Sequence, residues 1–247
     1  MHINIMVITK SIKPYVRWSG KMIDPLGDRM KKYEDAYRMH LSPRMPVIIR
    51  VDGKAFHTLT RGCERPFDVN LGACMDSTAT ALLDEVQGAR FAYVQSDEIS
   101  LFLCNYNTFQ SQSWFDNNIQ KMVSISAAVA ATNFTLCWGK NEPVYFDSRV
   151  FILPENEVCN YFLWRQNDAT RNSIQMVAQS MFSHKELHGK SCGDLQEMMF
   201  QKGTNWNEFK AYWKRGRVVT KEGVDENIPV FSQDRAYIEK FMGVEEK

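Results

Sequence analysis

Two acidic residues interrupt runs that are otherwise apolar. Asp52 closes the β-rich stretch PVIIRVDG (46–53), and Asp97 lies in FAYVQSDEISLFL (91–103), where Ser96, Asp97 and Glu98 separate two aromatic, strand-like segments. Carboxylates gathered in such surroundings repel each other unless a cation lies between them. Oxygen ligands of this kind suit Mg²⁺, which takes one or two protein carboxylates and completes its shell with water and substrate phosphates. That chemistry points to a nucleoside triphosphate as substrate. Each motif also has a plainer reading, since Asp-Gly between apolar residues is a hairpin signal and QSDE can be a simple polar turn.

The elements that must position these acids follow from hydrophobic periodicity. After the strand at 46–53, Leu71, Cys74, Met75, Thr78, Leu82 and Val86 recur at helical spacing over 69–87, and Gly88 stops the helix. RFAYVQ and ISLFLCNY read as a hairpin around Ser96–Glu98, a second helix is expected over 118–138, and DSRVFILP (147–154) supplies a fourth strand. The order is β-α-β-β-α-β, so the fold class is α+β, a ferredoxin-like palm followed by a helical C-terminal portion. In that topology strands one and three lie side by side and antiparallel, which brings Asp52 and Asp97, 45 positions apart, to one sheet edge. Beyond it, residues 157–184, 193–201 and 207–214 read as helices, the first with a break near Asn167-Asp168. The expected organisation is a palm over 24–154 and a mainly helical region over 155–247 packed on it. Residues 1–22 read as a loosely held extension, and near the far end only a short helix at DRAYIEKFM is expected.

Composition sets the outer bounds. The 247 residues are 44% hydrophobic, enough for a substantial core, and 30 Lys and Arg balance 29 Asp and Glu. Global charge therefore argues neither for nor against a polyanionic partner. Six cysteines without a C-x-x-C pair suit reduced core thiols, from which a cytoplasmic location is expected. No run is long and apolar enough to span a membrane.

With the motifs in place, a resemblance emerges. RVDGKAFH (50–57), RPFD (65–68), AYVQSDEIS (92–100), FDSRVFILP (146–154) and YFLWRQNDATRNS (161–173) occur in the order seen in the tRNA-histidine guanylyltransferase superfamily, over about residues 24–215. The resemblance implies a polymerase-like palm that adds nucleotides to the 5′ end of tRNA, opposite in direction to ordinary polymerases. It implies that Asp52, the Gly53 carbonyl and Asp97 hold two Mg²⁺ ions. It further implies that Asp52, Gly53, Lys54, Ala55, Phe56 and His57, with Ser96, Asp97, Arg65 and Lys121, bind ATP or GTP. Asp52 and Asp97 are the expected catalytic acids, with Glu98 in a supporting role because strand alternation turns it away from Asp97. A homotetramer is implied as well.

Departures from the family pattern select a branch. Thr170-Arg171-Asn172-Ser173 stands where the eukaryotic enzymes carry His-Ile-Asn-Asn, Glu197 is the remnant of a Lys-Asn-Glu motif, and Arg65 replaces a lysine before Pro66. These changes resemble the bacterial and archaeal guanylyltransferase-like proteins, whose activity is template-dependent 3′-to-5′ addition to truncated tRNA. Addition of a single G to histidine tRNA is the alternative. Arg165, Arg171, Asn172, Lys210, Lys214 and Arg215 are the expected tRNA contacts, the last three within KAYWKRGRVVTK (210–221), which an amphipathic surface helix explains nearly as well. His184, His188 and Cys192 recur every fourth residue, a spacing that could also present zinc ligands.

Two other classes remain open on the residues. A palm-type nucleotide cyclase shares the two-metal site but gives WRQ and the C-terminal half no role. A non-catalytic RNA-binding module of ferredoxin-like topology needs a basic-Gly-aromatic strand start that is missing here.

Overall fold

The computed structural model describes residues 24–106, 108, 110–140 and 142–243; the N-terminal extension read at 1–22 lies outside them. The chain divides into a unit ending at Arg38 and a unit from Met39 onward. In the first, α1 (Pro25–Asp35) is capped by Asp24, whose carboxylate accepts the Gly27 N–H at 2.9 Å.

In the second unit the elements run β1 (Val47–Gly53), α2 (Phe56–Leu59), α3 (Val69–Glu85), β2 (Ala89–Gln95), β3 (Glu98–Leu103), α4 (Ile119–Trp138) and β4 (Phe146–Ile152). They continue through α5 (Val158–Met181), α6 (His184–Leu187), α7 (Cys192–Gln201), α8 (Ala211–Arg215), β5 (Arg217–Thr220), β6 (Gly223–Asp225) and α9 (Ala236–Glu239). One antiparallel sheet has the order β4-β1-β3-β2-β5-β6. Its first four strands form the expected ferredoxin-like palm.

Alternation in β1 divides the core between the sheet's two faces. Val47, Ile49 and Val51 pack with Met75, Leu82 and Phe134 of α3 and α4, whereas Ile48 joins Phe91, Tyr93, Phe102 and Phe162 beneath α5. Both faces are covered, so β2 and β3 are buried along most of their length. A third cluster, Ile174, Val177, Ala178, Leu195 and Met199, seats α7 on the far half of α5.

The C-terminal region departs from the reading in three ways. Helix α5 is continuous, because Asp168 pairs with Arg165 one turn before it and Arg171 one turn after it, which satisfies the side chain that suggested a break. The helix expected at 207–214 is a 3₁₀ turn at Trp206–Glu208 followed by α8. The basic stretch 210–221 is not one surface helix: Arg217–Thr220 leaves α8 at Gly216 and enters the sheet as β5 beside β2. The sheet thus draws strands from beyond residue 155.

Candidate active site

Sheet register places the acids. Asp52 stands opposite Glu98 of β3 on one side and Asp147 of β4 on the other, and the Gly53 N–H donates to the Asp97 carbonyl at 3.0 Å. Asp52 and Gly53 are therefore the paired end of an interior strand and not a hairpin turn. Ser96 and Asp97 form the two-residue turn between β2 and β3, with Ser96 at φ 46. A left-handed conformation is costly for a residue with a side chain, and such strain persists where surrounding structure fixes it. Here Gln95 and Glu98 are buried on either side.

The carboxylates feel this confinement. Burial, then the charge of Asp52, push the Asp97 carboxyl up to about 6, while a hydrogen bond from Ser96 pulls the other way. Burial and the charge of Asp147 likewise raise Asp52 above the ordinary carboxylate range. Among the described residues neither acid carries an ion pair. Arg50, Arg149 and Arg165 offset part of the cost at Asp52 from a distance, but with no cation in contact with either acid the two confined carboxylates present hard oxygen donors that fit Mg²⁺. No group of three or more His, Cys, Asp or Glu suited to a metal occurs among the described residues. The fit rests on the two aspartates and an adjacent carbonyl.

The adjoining loop is packed tightly. The Phe56 ring sits 5.1 Å from Phe134 and 5.2 Å from Phe146, centroid to centroid, directly under Gly53. A Cβ at Gly53 would stand 2.2 Å from that ring, so only glycine lets the strand end lie so close. Ala55, at φ 58, starts α2, and the Lys54 N–H donates to the Tyr145 carbonyl at 2.9 Å. Gly53, Ala55, Phe56, His57, Ser96 and Asp97 line a cavity of about 480 Å³ with Glu64, Arg65, Asp68, Met176 and Gln179, whereas Asp52 and Lys54 stand outside its lining. That volume accommodates a nucleotide-sized ligand. In the sequence Asp68 is the last residue of RPFD, and no site role is expected of it there. Burial opposes its charge, but N–H donation from Leu71 and Glu64 holds its carboxyl below the ordinary range while it caps α3.

The structure separates several expected site residues from this cavity. Glu98 faces α5, where the Arg165 guanidinium holds it at two points, Nε to Oε1 at 2.7 Å and Nη2 to Oε2 at 2.8 Å. Arg165, expected to touch tRNA, is 5% exposed and also binds Asp168, so its charge is satisfied inside the protein. Lys121 lies in the first turn of α4, which is tied near the end of β3 by the Asn105–Asn117 hydrogen bond. Asp97 is at the other end of that six-residue strand, about 20 Å away at the usual rise. Arg171 and Lys210 are exposed, whereas Lys214 donates to the Asn207 carbonyl at 2.6 Å and Arg215 to the Ile228 carbonyl at 2.9 Å. Asn172 lines a second hollow behind the turn, with Gln95, Ser96 and Trp213. His184 and His188 belong to α6 and its end, but Cys192 begins a different helix, which removes the single face that zinc required.

One network escaped the sequence reading. Asp76 of α3 accepts from Tyr212 Oη at 2.8 Å and from Arg217 Nε, and Arg217 Nη2 reaches the Gly72 carbonyl at 3.1 Å. The signal available was an acid among the apolar positions of a helix, with no indication of its partners 136 and 141 residues on.

A ferredoxin-like palm with paired acids at the end of β1 and in the β2–β3 turn is the frame of palm-type polymerases and nucleotidyltransferases. The family described as Thg1, tRNAHis guanylyltransferase, matches residues 27–154. A solved bacterial tRNA(His) guanylyltransferase (Thg1)-like protein in complex with ATP is 46% identical, with a TM-score of 0.85, covering 87% of this chain and 98% of that one. Another such structure, in complex with GTP, is 42% identical with a TM-score of 0.80, covering 90% and 100%. The probable tRNA(His) guanylyltransferase of Drosophila melanogaster is 29% identical over 202 residues, 74% of this chain and 69% of that protein. The chain belongs to the Thg1 family and is a nucleotidyltransferase.

Proposed function

We propose that this protein adds nucleotides in the 3′-to-5′ direction to the 5′ end of truncated tRNA, with base pairing to the opposite strand choosing each nucleotide. The observation that carries this reading is the greater likeness to the bacterial Thg1-like proteins, which bind ATP and GTP, at 46% and 42% identity, than to the Drosophila relative at 29%. The tetrad Thr170-Arg171-Asn172-Ser173 in place of His-Ile-Asn-Asn supports the same branch.

Asp52, the Gly53 carbonyl and Asp97 would hold two Mg²⁺ ions. When bound, such ions lower the pKa of an attacking hydroxyl and stabilise the leaving oxygen. The residues of the loop 52–57, with Ser96 and Arg65, bind the nucleotide and direct its phosphates toward the acids. Glu98 and Arg165 hold the β2–β3 turn from behind, so that Asp97 is fixed before substrate arrives. The 5′-monophosphate of the RNA first attacks the α-phosphate of ATP or GTP, releasing pyrophosphate. The 3′-hydroxyl of the incoming nucleotide then attacks the RNA 5′-phosphate and expels the activating nucleoside monophosphate; a 5′-triphosphate end loses pyrophosphate directly. Work of this kind is mostly positioning and charge stabilisation.

The second reading, a single G added to histidine tRNA, is favoured by the names of the curated relatives. Incubation with Mg²⁺, labelled nucleotides and either a 5′-truncated tRNA or an intact histidine tRNA separates them. Template-matched extension of the truncated tRNA supports repair. Extension of histidine tRNA alone would replace that reading with the second one.

A further inference from the structure

A second cavity, of about 530 Å³, adjoins the nucleotide cavity, and Arg65 and Gln179 line both. Its wall adds His184, His188 and Lys190 from α6 and the loop after it. Among the described residues no carboxylate lines this basin. Two acids of the neighbouring helices cap those helices: Glu186 Oε2 accepts the Ser183 N–H at 2.8 Å and Asp194 Oδ2, which also feels the Lys190 charge, accepts the Ser191 N–H at 2.9 Å, each closing a capping box. Among the described residues Arg65, His184, His188 and Lys190 form no ion pair, and all four are exposed. Two cations, Arg65 and Lys190, with imidazole and amide groups around an open hollow and no lining acid, favour an anion.

We propose that this basin holds backbone phosphates of the RNA strand that carries the reacting 5′ end. The inference rests on the proposed function and extends it to residues outside the expected site. An RNA strand whose 5′ phosphate lies beside Asp97 must leave the first cavity, and the shared wall of Arg65 and Gln179 leads directly into the second. Among the described residues Phe182 is the one Phe, Tyr or Trp lining the basin, and the Lys202 ammonium sits over its ring at 4.0 Å. The basin therefore reads charge along a strand, which is how sequence-independent contact to RNA is made.

The test uses the double variant His188→Ala/Lys190→Ala and, separately, Lys190→Glu, with unchanged melting temperature as the check on folding. Binding of a 5′-monophosphorylated truncated tRNA is measured by anisotropy over a range of salt, alongside binding of Mg-GTP and of inorganic tripolyphosphate. Expected are RNA affinity about 5- to 10-fold weaker, a log–log salt slope reduced by about 1, and unchanged Mg-GTP affinity. RNA affinity and salt slope equal to wild type in both variants would overturn the proposal. So would a loss confined to Mg-GTP or tripolyphosphate, which would make the basin a holder of free polyphosphate. Because these readouts are equilibrium binding, they decide the question even if wild-type protein extends no RNA, an outcome that would count against the proposed function alone.

Discussion

Glu98 and Arg165 form a two-point ion pair across 67 residues of sequence, with both side chains almost fully buried between β3 and α5. Burial raises the Glu98 carboxyl while Arg165 and, at 3.8 Å, Arg50 draw it down. The residue next to Asp97 is thereby anchored from the sheet face opposite α3 and α4.

Removing one partner leaves an uncompensated buried charge. Arg165→Met is expected to cost about 3–5 kcal/mol, and Glu98→Leu/Arg165→Met to recover most of that loss. Urea unfolding of the two variants and wild type measures it. A single-variant cost below about 1 kcal/mol would show that the pair does not hold the turn.

Asp97 makes the metal-free protein sensitive to pH. Its folded carboxyl titrates at about 6, above the ordinary value, so between about pH 4 and 6 the folded chain keeps a proton that the unfolded chain has lost. Stability therefore falls as pH rises through that window and stays lower above it, by about 2–3 kcal/mol. Asp97→Asn is expected to raise the melting temperature at pH 7.5 without Mg²⁺ by several degrees and to flatten the pH profile. An unchanged or lowered melting temperature would contradict the repulsion described here.

Gly53 is constrained by contact with the Phe56 ring. Gly53→Ala is expected to cost about 1–3 kcal/mol and to weaken nucleotide binding, since ring or strand end must shift. Gly62→Ala, where an added Cβ meets nothing within 4 Å, is the control and should change stability by less than about 0.5 kcal/mol. Thermal melts and GTP titration of both variants compare them.

Periodicity and element order were sufficient to read the four palm strands, α3 and α4, and with them the meeting of Asp52 and Asp97 at one edge. What escaped was set by distant partners. Strand alternation turns Glu98 away from Asp97, but nothing local identifies Arg165 as its counter-ion, so Arg165 looked available to RNA. Residues Arg217–Thr220 make only four residues of strand, buried on both faces, and without alternation they read as part of a basic helix. Lys121 was placed by resemblance, and the position of α4 along the sheet sets it far from the acids.

The central claim is that Asp52 and Asp97 jointly hold the divalent ions that nucleotide addition requires. The most direct measurement is single-turnover extension of a 5′-truncated tRNA by Asp52→Ala and Asp97→Ala across a Mg²⁺ titration, with tRNA binding measured in parallel. Both variants should lose at least about 100-fold in rate at every Mg²⁺ concentration while tRNA affinity stays within about threefold of wild type. Extension at the wild-type rate by either variant would contradict the claim.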